Sequence, residues 1–193
     1  MMLKATNPQY LPYARMIGGV GARLHCSRWL CSTANTVIVH ADSDPDNSAG
    51  SFIISGTLTT AKTAGVGQYA EMEHVFTQEA VNRFSAICGD NNPLHVDPAF
   101  AQSSMFGGTI VHGILVSSLF STLFGRAIHG SIYVSQSLHF KRPVFVGASV
   151  RAKMEIVSVE HRAKGSLLTC TTTCCLLDGT LAVVGEAKVL VPQ

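Results

Sequence analysis

Residues 114–124 are apolar or small without exception, so a helix built from them has no face suited to water and must be covered. The stretch is too short to cross a bilayer, which takes about 20 apolar residues, so the cover has to be protein. Beyond Gly125 the spacing of apolar residues changes from the helical period to a period of two. Residues 131–140, 149–159, 166–176 and 181–191 are long runs rich in Val, Leu, Ile and Thr. In the second run Val150, Ala152, Met154 and Ile156 alternate with Arg151, Lys153 and Glu155, the pattern of a strand with one wet face. Asp178-Gly179 separates the last two runs and signals a tight hairpin. An apolar helix followed by a meander of strands predicts an α+β domain in which a curved antiparallel sheet wraps around a buried central helix.

Upstream, Thr77 is a natural N-cap, and Ala80, Val81, Phe84, Ile87 and Cys88 recur at helical spacing until Gly89. The next segment, residues 90–98, holds two prolines and two asparagines and is expected to turn. A short helix over 98–103 follows, then Gly107-Gly108 and His112-Gly113 at the start of the apolar helix. The folded unit is expected to span 71–193. Residues 42–70, rich in Ser, Thr, Gly and Ala, read mainly as linker with room for a short strand at 52–54. Residues 1–41 contain no Asp or Glu but carry Lys4, Arg15, Arg23 and Arg28, a composition that suits a mitochondrial transit peptide cleaved after Arg28. A disordered extension or a misassigned start fits the same residues. A secretory signal does not, because Arg and Gly interrupt the apolar core of about 7 to 15 residues that it needs.

Hydrophobic residues are 47% of the chain and charged ones only 13%, which excludes a disordered protein and points to surface buried between subunits. A net charge of +2, with no basic cluster interleaved by aromatics, gives no footprint for nucleic acid. The cysteines at 26, 31, 88, 170, 174 and 175 form no CxxC pair and no zinc spacing, so free, mostly buried thiols are expected.

Chemistry concentrates around the turn-rich segment. Asp90 and His95 are close enough in sequence for the chain to fold back and aim both side chains into one cleft. An imidazole exchanges a proton near neutral pH, and a carboxylate beside it orients it or holds the second reacting group. Taken alone, the pair also reads as a turn cap and a hydrogen-bonded loop residue. Gly113 adds a backbone N–H at a helix N-terminus, where donors are unsatisfied and the dipole is positive, so it can stabilise an oxyanion. Ser117, Ser118 and Ser121 put hydroxyls on the same helix, most of them expected to bond the carbonyl one turn back. His74, His129, His139 and His161 read as surface or structural, and Lys141 and Arg142 either touch the phosphates of a pantetheine-bearing carrier or form a solvated strand end.

Several ordered motifs then resemble one family. Residues 84–100, centred on Gly89-Asp90-Asn91-Asn92-Pro93-Leu94-His95, are similar to the hydratase motif of MaoC-like (R)-specific enoyl-CoA hydratases and mitochondrial 3-hydroxyacyl-thioester dehydratases. The likeness continues through Phe106-Gly107, Ile110-Val111-His112-Gly113 and the run from Gln136 to Val144, and covers residues 76–192. It implies a single hot-dog domain, a homodimer paired through its sheets, and an acyl thioester substrate on acyl carrier protein or CoA, with no metal or redox cofactor. It implies Asp90 and His95 as the catalytic dyad and Gly113 as oxyanion donor, with Ser121, Asn92 and His112 in support. The expected reaction is dehydration of (3R)-3-hydroxyacyl-carrier protein in mitochondrial fatty-acid synthesis or, alternatively, (R)-specific hydration of enoyl-CoA. A hot-dog thioesterase or a non-catalytic acyl-binding module is the reading from another class.

Overall fold

Residues 53–58 and 64–192 are described by the computed structural model. In chain order the elements are β1 (Ile54–Gly56), β2 (Tyr69–Val75), α1 (Gln78–Cys88), α2 (Pro93–Val96), α3 (Pro98–Ser103) and α4 (Gly113–Ala127). The strands β3 (Ile132–Gln136), β4 (His139–Phe140), β5 (Ser149–Arg162), β6 (Gly165–Leu176) and β7 (Leu181–Pro192) follow. All pair antiparallel in one sheet of order β1-β2-β5-β6-β7-β3, with β4 also on β7. The alternation read in residues 149–159 is realised: Val150, Ala152, Met154 and Ile156 are wholly buried, and Arg151, Lys153 and Glu155 face outward in register with β2. β5, β6 and β7 are joined by successive hairpins, the second turning at Asp178-Gly179, where Asp178 Oδ1 accepts the Thr180 N–H. The architecture is the α+β hot-dog fold, a curved antiparallel sheet with a helix packed against it.

Along α4, Val116, Leu119, Phe120, Leu123, Phe124 and Ala127 are buried and form one core with the inward residues of β2, β5, β6 and β7. Burying each large side chain contributes about 1.5–3 kcal/mol, so this one stripe supplies much of what holds helix to sheet. The helix is not covered on every side, however. Ile114, Ser118, Ser121 and Gly125 are exposed, because a sheet can wrap only one flank of a cylinder.

Three expectations need correcting or refining. The sheet begins before Glu71: β1 lies inside the stretch read mainly as linker, and Ile54 and Leu58 are buried in the core. Pairing with β2 supplies the order that the small, polar composition of this stretch conceals. Residues 93–96, expected to turn, do so as a single turn of helix, since Asn92 caps it by accepting the Leu94 N–H and Pro93 sits at the first helical position, where a missing N–H costs nothing. The run at 131–140 divides into β3 and β4. Its break lies where the Ser137 carbonyl crosses Gly185 of β7 so closely that a Cβ there would be 1.8 Å from the oxygen.

Among the described residues, Cys88, Cys170 and Cys174 are free thiols, and of the four described cysteines only Cys88 is exposed. Burial pushes the Cys170 and Cys174 thiols up to about 12, which keeps them protonated and unreactive. No helix among the described residues is long and apolar enough to cross a membrane. The leader expected at 1–41, with Cys26 and Cys31, lies outside the described residues.

Candidate active site

α1 runs from its Thr77 cap, whose hydroxyl accepts the Ala80 N–H, to Gly89 in the left-handed conformation at φ 80°. That terminus turns the chain into the Asp90 segment. Inside α1 the buried Ser85 hydroxyl reaches forward to the Asp90 carbonyl at 2.9 Å and to the Asn91 side chain at 2.7 Å. One hydroxyl hydrogen serves one acceptor, so Ser85 donates to the Asp90 carbonyl and the Asn91 amide is best oriented to donate to Ser85. From the other side His112, also buried, places Nε2 3.0 Å from the same Asp90 carbonyl. A carbonyl only accepts, so Nε2 carries the hydrogen, and Nδ1 of His112 is left buried with no partner.

His95 is fixed by an equivalent logic. Its backbone N–H donates to Asn92 and its carbonyl accepts from Gln78 of α1, which locks the turn of α2. The ring sets Nδ1 2.7 Å from the Ile110 carbonyl, so Nδ1 holds the hydrogen and Nε2 of the neutral ring presents its lone pair. Its flat face stacks on His112, ring centres 3.8 Å apart and planes tilted by 31°, while Phe84 meets His112 edge-on at 5.2 Å. Asp90 is half exposed. Its Oδ1 accepts the Asn92 N–H at 3.2 Å, and Oδ2 stands 3.9 Å from His112 Nε2.

Asp90, His95 and His112 each bring a carboxylate oxygen or ring nitrogen within 4.8 Å of the others. A water accepting and donating ordinary hydrogen bonds of about 2.7–3.0 Å spans such a gap. Three ligands this close could also hold a divalent ion, but His112 Nε2 and His95 Nδ1 are already committed to the Asp90 and Ile110 carbonyls, leaving one nitrogen on each ring. An imidazole lone pair beside a carboxylate is able to move a proton.

Gly113 opens α4 with His112 as N-cap, so its N–H is one of the helix-start donors without an intrahelical carbonyl. It shares with His95 a cleft of about 250 Å³ whose walls include Phe106, Ile110, Phe140 and Val183. Phe140 explains the glycine: a Cβ at Gly113 would lie 2.6 Å from the ring. Arg142 also lines this cleft, whereas Lys141 does not. Ser117 and Ser118 bond the carbonyls of Gly113 and Leu115, as expected of helix hydroxyls.

The structure therefore gathers Asp90, His95, His112 and Gly113, with Asn92 bracing the turn between the first two. It does not bring Ser121 to them: that side chain is exposed on α4, roughly 12 Å along the axis from Gly113 at 1.5 Å per residue. Of the other histidines, His129, His139 and His161 are exposed, and His74 packs edge-on to Phe76 at 4.5 Å, where burial lowers its pKa. Ser85 and Phe140 were not anticipated. A serine inside a helix carries no local signal, and Phe140 meets Gly113 only through tertiary folding.

A family profile described as "MaoC like domain" matches residues 53–174. An (R)-specific enoyl-CoA hydratase of Aeromonas caviae is 45% identical over 135 residues, covering 69% of this chain and 99% of the relative. A mitochondrial 3-hydroxyacyl-[acyl-carrier-protein] dehydratase of Solanum lycopersicum is 32% identical over 145 residues, covering 75% of this chain and 88% of the relative. Among solved structures, the (R)-hydratase of A. caviae involved in PHA biosynthesis superposes with a TM-score of 0.65 at 46% identity, over 68% of this chain and all of the other. An R-hydratase of Pseudomonas aeruginosa does so with 0.64 at 30% identity, over 72% and 89%.

Proposed function

The chain belongs to the MaoC-like domain family and is a hydratase/dehydratase of acyl thioesters; from that premise we propose that it interconverts (3R)-3-hydroxyacyl and trans-2-enoyl groups, chiefly by dehydration on acyl carrier protein inside mitochondria. The single observation that supports the chemistry is the cluster of the Asp90 carboxylate with the His95 and His112 rings, ligand atoms within 4.8 Å of one another, next to a cleft that His95 and Gly113 line. In the hydration direction a water held between Asp90 and His95 forms its C–O bond at C3. The alkene electrons move to C2 and into the thioester carbonyl, one proton leaves the water, and the dyad returns a proton to C2. The pair ends in its starting protonation state, and dehydration is the reverse. Negative charge appears on the thioester oxygen only as the transition state is approached, so a donor at Gly113 lowers the barrier rather than merely binding substrate.

The mitochondrial setting is supported by the acid-free N-terminus and by the plant relatives named as mitochondrial. The second reading, an enoyl-CoA hydratase, is supported by the higher identity to the A. caviae enzyme. Initial rates on matched enoyl-carrier protein and enoyl-CoA decide between them. The test of the dyad is Asp90→Asn and His95→Ala, each expected to leave a folded protein by circular dichroism and to cut hydration by about a hundredfold or more. Folded variants with near-wild-type rates would remove both residues from the mechanism. Release of free thiol from saturated acyl-CoA, with enoyl thioesters untouched, would make the protein a thioesterase.

A further inference from the structure

Little packing holds the Asp90 carboxylate: the side chain is half exposed, and its Oδ1 accepts the Asn92 N–H of its own turn. Its place is therefore set by the backbone that carries it. The peptide unit joining Asp90 to Asn91 is fastened at both ends. Its N–H, from Asn91, donates to the Gly89 carbonyl at 3.1 Å. Its carbonyl, from Asp90, has two lone pairs, and these take the Ser85 hydroxyl at 2.9 Å and His112 Nε2 at 3.0 Å.

Ser85 is the unusual member of this set. A serine inside a helix commonly bonds the carbonyl one turn back, as Ser117 does, whereas this hydroxyl reaches five residues forward, past the Gly89 terminus of α1. The Ser85 carbonyl meanwhile accepts the Gly89 N–H at 2.8 Å, so one residue grips the chain on both sides of that terminus. Ser85 is only 2% exposed, and a hydroxyl shut away from water gives its hydrogen to a protein acceptor. The Asn91 amide, 2.7 Å away, decides which one: by donating to Ser85 Oγ it leaves the hydroxyl hydrogen to the Asp90 carbonyl. Neither Ser85 nor Asn91 lines the cleft that His95 and Gly113 share. We propose that Ser85, with its hydroxyl directed by Asn91, is a positioning residue for the reaction, holding the Asp90 peptide so that the carboxylate faces His95. This rests on the dyad reading above and adds the side chain that aligns it.

The test is steady-state hydration of trans-2-enoyl-CoA by the full-length protein and its variants, with thermal unfolding followed in parallel. Ser85→Ala is expected to lower kcat about tenfold or more, part of the roughly hundredfold that a misplacement of about 1 Å can cost. KM should stay within about twofold, since a group that acts only on alignment leaves substrate binding alone. Ser85→Thr keeps the hydroxyl and is expected to recover most of kcat. Asn91→Asp puts an acceptor where the amide donated and draws the Ser85 hydrogen away from the Asp90 carbonyl, so kcat is expected to fall, and to fall no further when position 85 is already alanine. In an Asp90→Asn background Ser85→Ala is likewise expected to cost nothing more, because no carboxylate remains to align. Wild-type kcat in Ser85→Ala, or the same loss in the Asp90→Asn background as in wild type, overturns the proposal and leaves the dyad standing. A wild-type rate in Asp90→Asn overturns the dyad and the proposal with it. Should Ser85→Ala fail to fold, Asn91→Asp decides, and a wild-type kcat there overturns the proposal.

Discussion

At the scale of the residue, the geometry of the proposed site depends on side chains remote in sequence that hold the Asp90 carbonyl and border Gly113. Ser85 and His112 clamp the carbonyl from opposite sides, and the ring of Phe140 lies where a side chain at position 113 would be. Alanine at 113 keeps the N–H, so loss of activity in Gly113→Ala would report displacement of the helix start rather than loss of a donor. With a Cβ 2.6 Å from the ring, either the ring or the first turn of α4 has to move. The expected result is a drop in kcat of about tenfold or more, since removing an aligned oxyanion donor costs about 2.7–4 kcal/mol and misaligning it costs part of that. Phe140→Leu in the same chain makes room and is expected to restore part of kcat, so the two changes should be clearly non-additive. Additive losses would show that Phe140 does not dictate the glycine.

At the scale of the element, β2 carries a charge where the sheet has little water to offer. Glu71 lies between Ser55 of β1 and Lys153 of β5, with Oε2 buried and unpartnered. Burial raises its pKa above the ordinary 4.5, and the attraction of Arg151 and Lys153 only partly offsets this. A raised carboxyl binds its proton more readily folded than unfolded, so its favourable contribution is complete below the ordinary carboxylate range and is lost as pH rises through the folded value. Glu71→Gln removes the ionisation and is expected to raise Tm by a few degrees at neutral pH, with the advantage shrinking as pH falls towards 4.5. A variant less stable than wild type at neutral pH, with a gap that does not change with pH, would show that the pairing with Arg151 and Lys153 outweighs burial. β2 and β1 also show where sequence reading reaches its limit. α1, α3, α4 and β5 to β7 were legible because their periodicity or capping is local. β1 was legible only as room for a short strand at 52–54, since its order comes from a partner strand, and α2 only as a turn, although Asn92-Pro93 is itself a cap-and-first-turn signal. The proximity of Asp90 and His95 was legible because one short segment holds both residues, whereas Ser85 and Phe140 act across the fold and leave no mark beside their targets.

For the whole molecule, the question is what the sheet does at its ends. β1 is a three-residue edge, too short to template another strand. β3, at the opposite end, pairs with β7 on one side, and its sequence Ile-Tyr-Val-Ser-Gln has no charge or proline to discourage a neighbour. Its only protective device is the irregularity at Val134, yet Ile132 and Val134 remain 53% and 55% exposed. A strand of this kind, in a chain with so few charges, is stable in solution when a second copy covers it, and a two-fold pairing of β3 with β3 is the arrangement that closes. Sedimentation is therefore expected to give twice the 20.5 kDa chain mass, or twice the mass of the processed form. The double change Ile132→Lys with Val134→Lys puts like charges on both copies and is expected to shift the protein to monomer with its far-ultraviolet dichroism retained. A double variant that stays dimeric at the same concentrations would place the interface elsewhere, while a monomer of full activity would show that each cleft is complete within one chain.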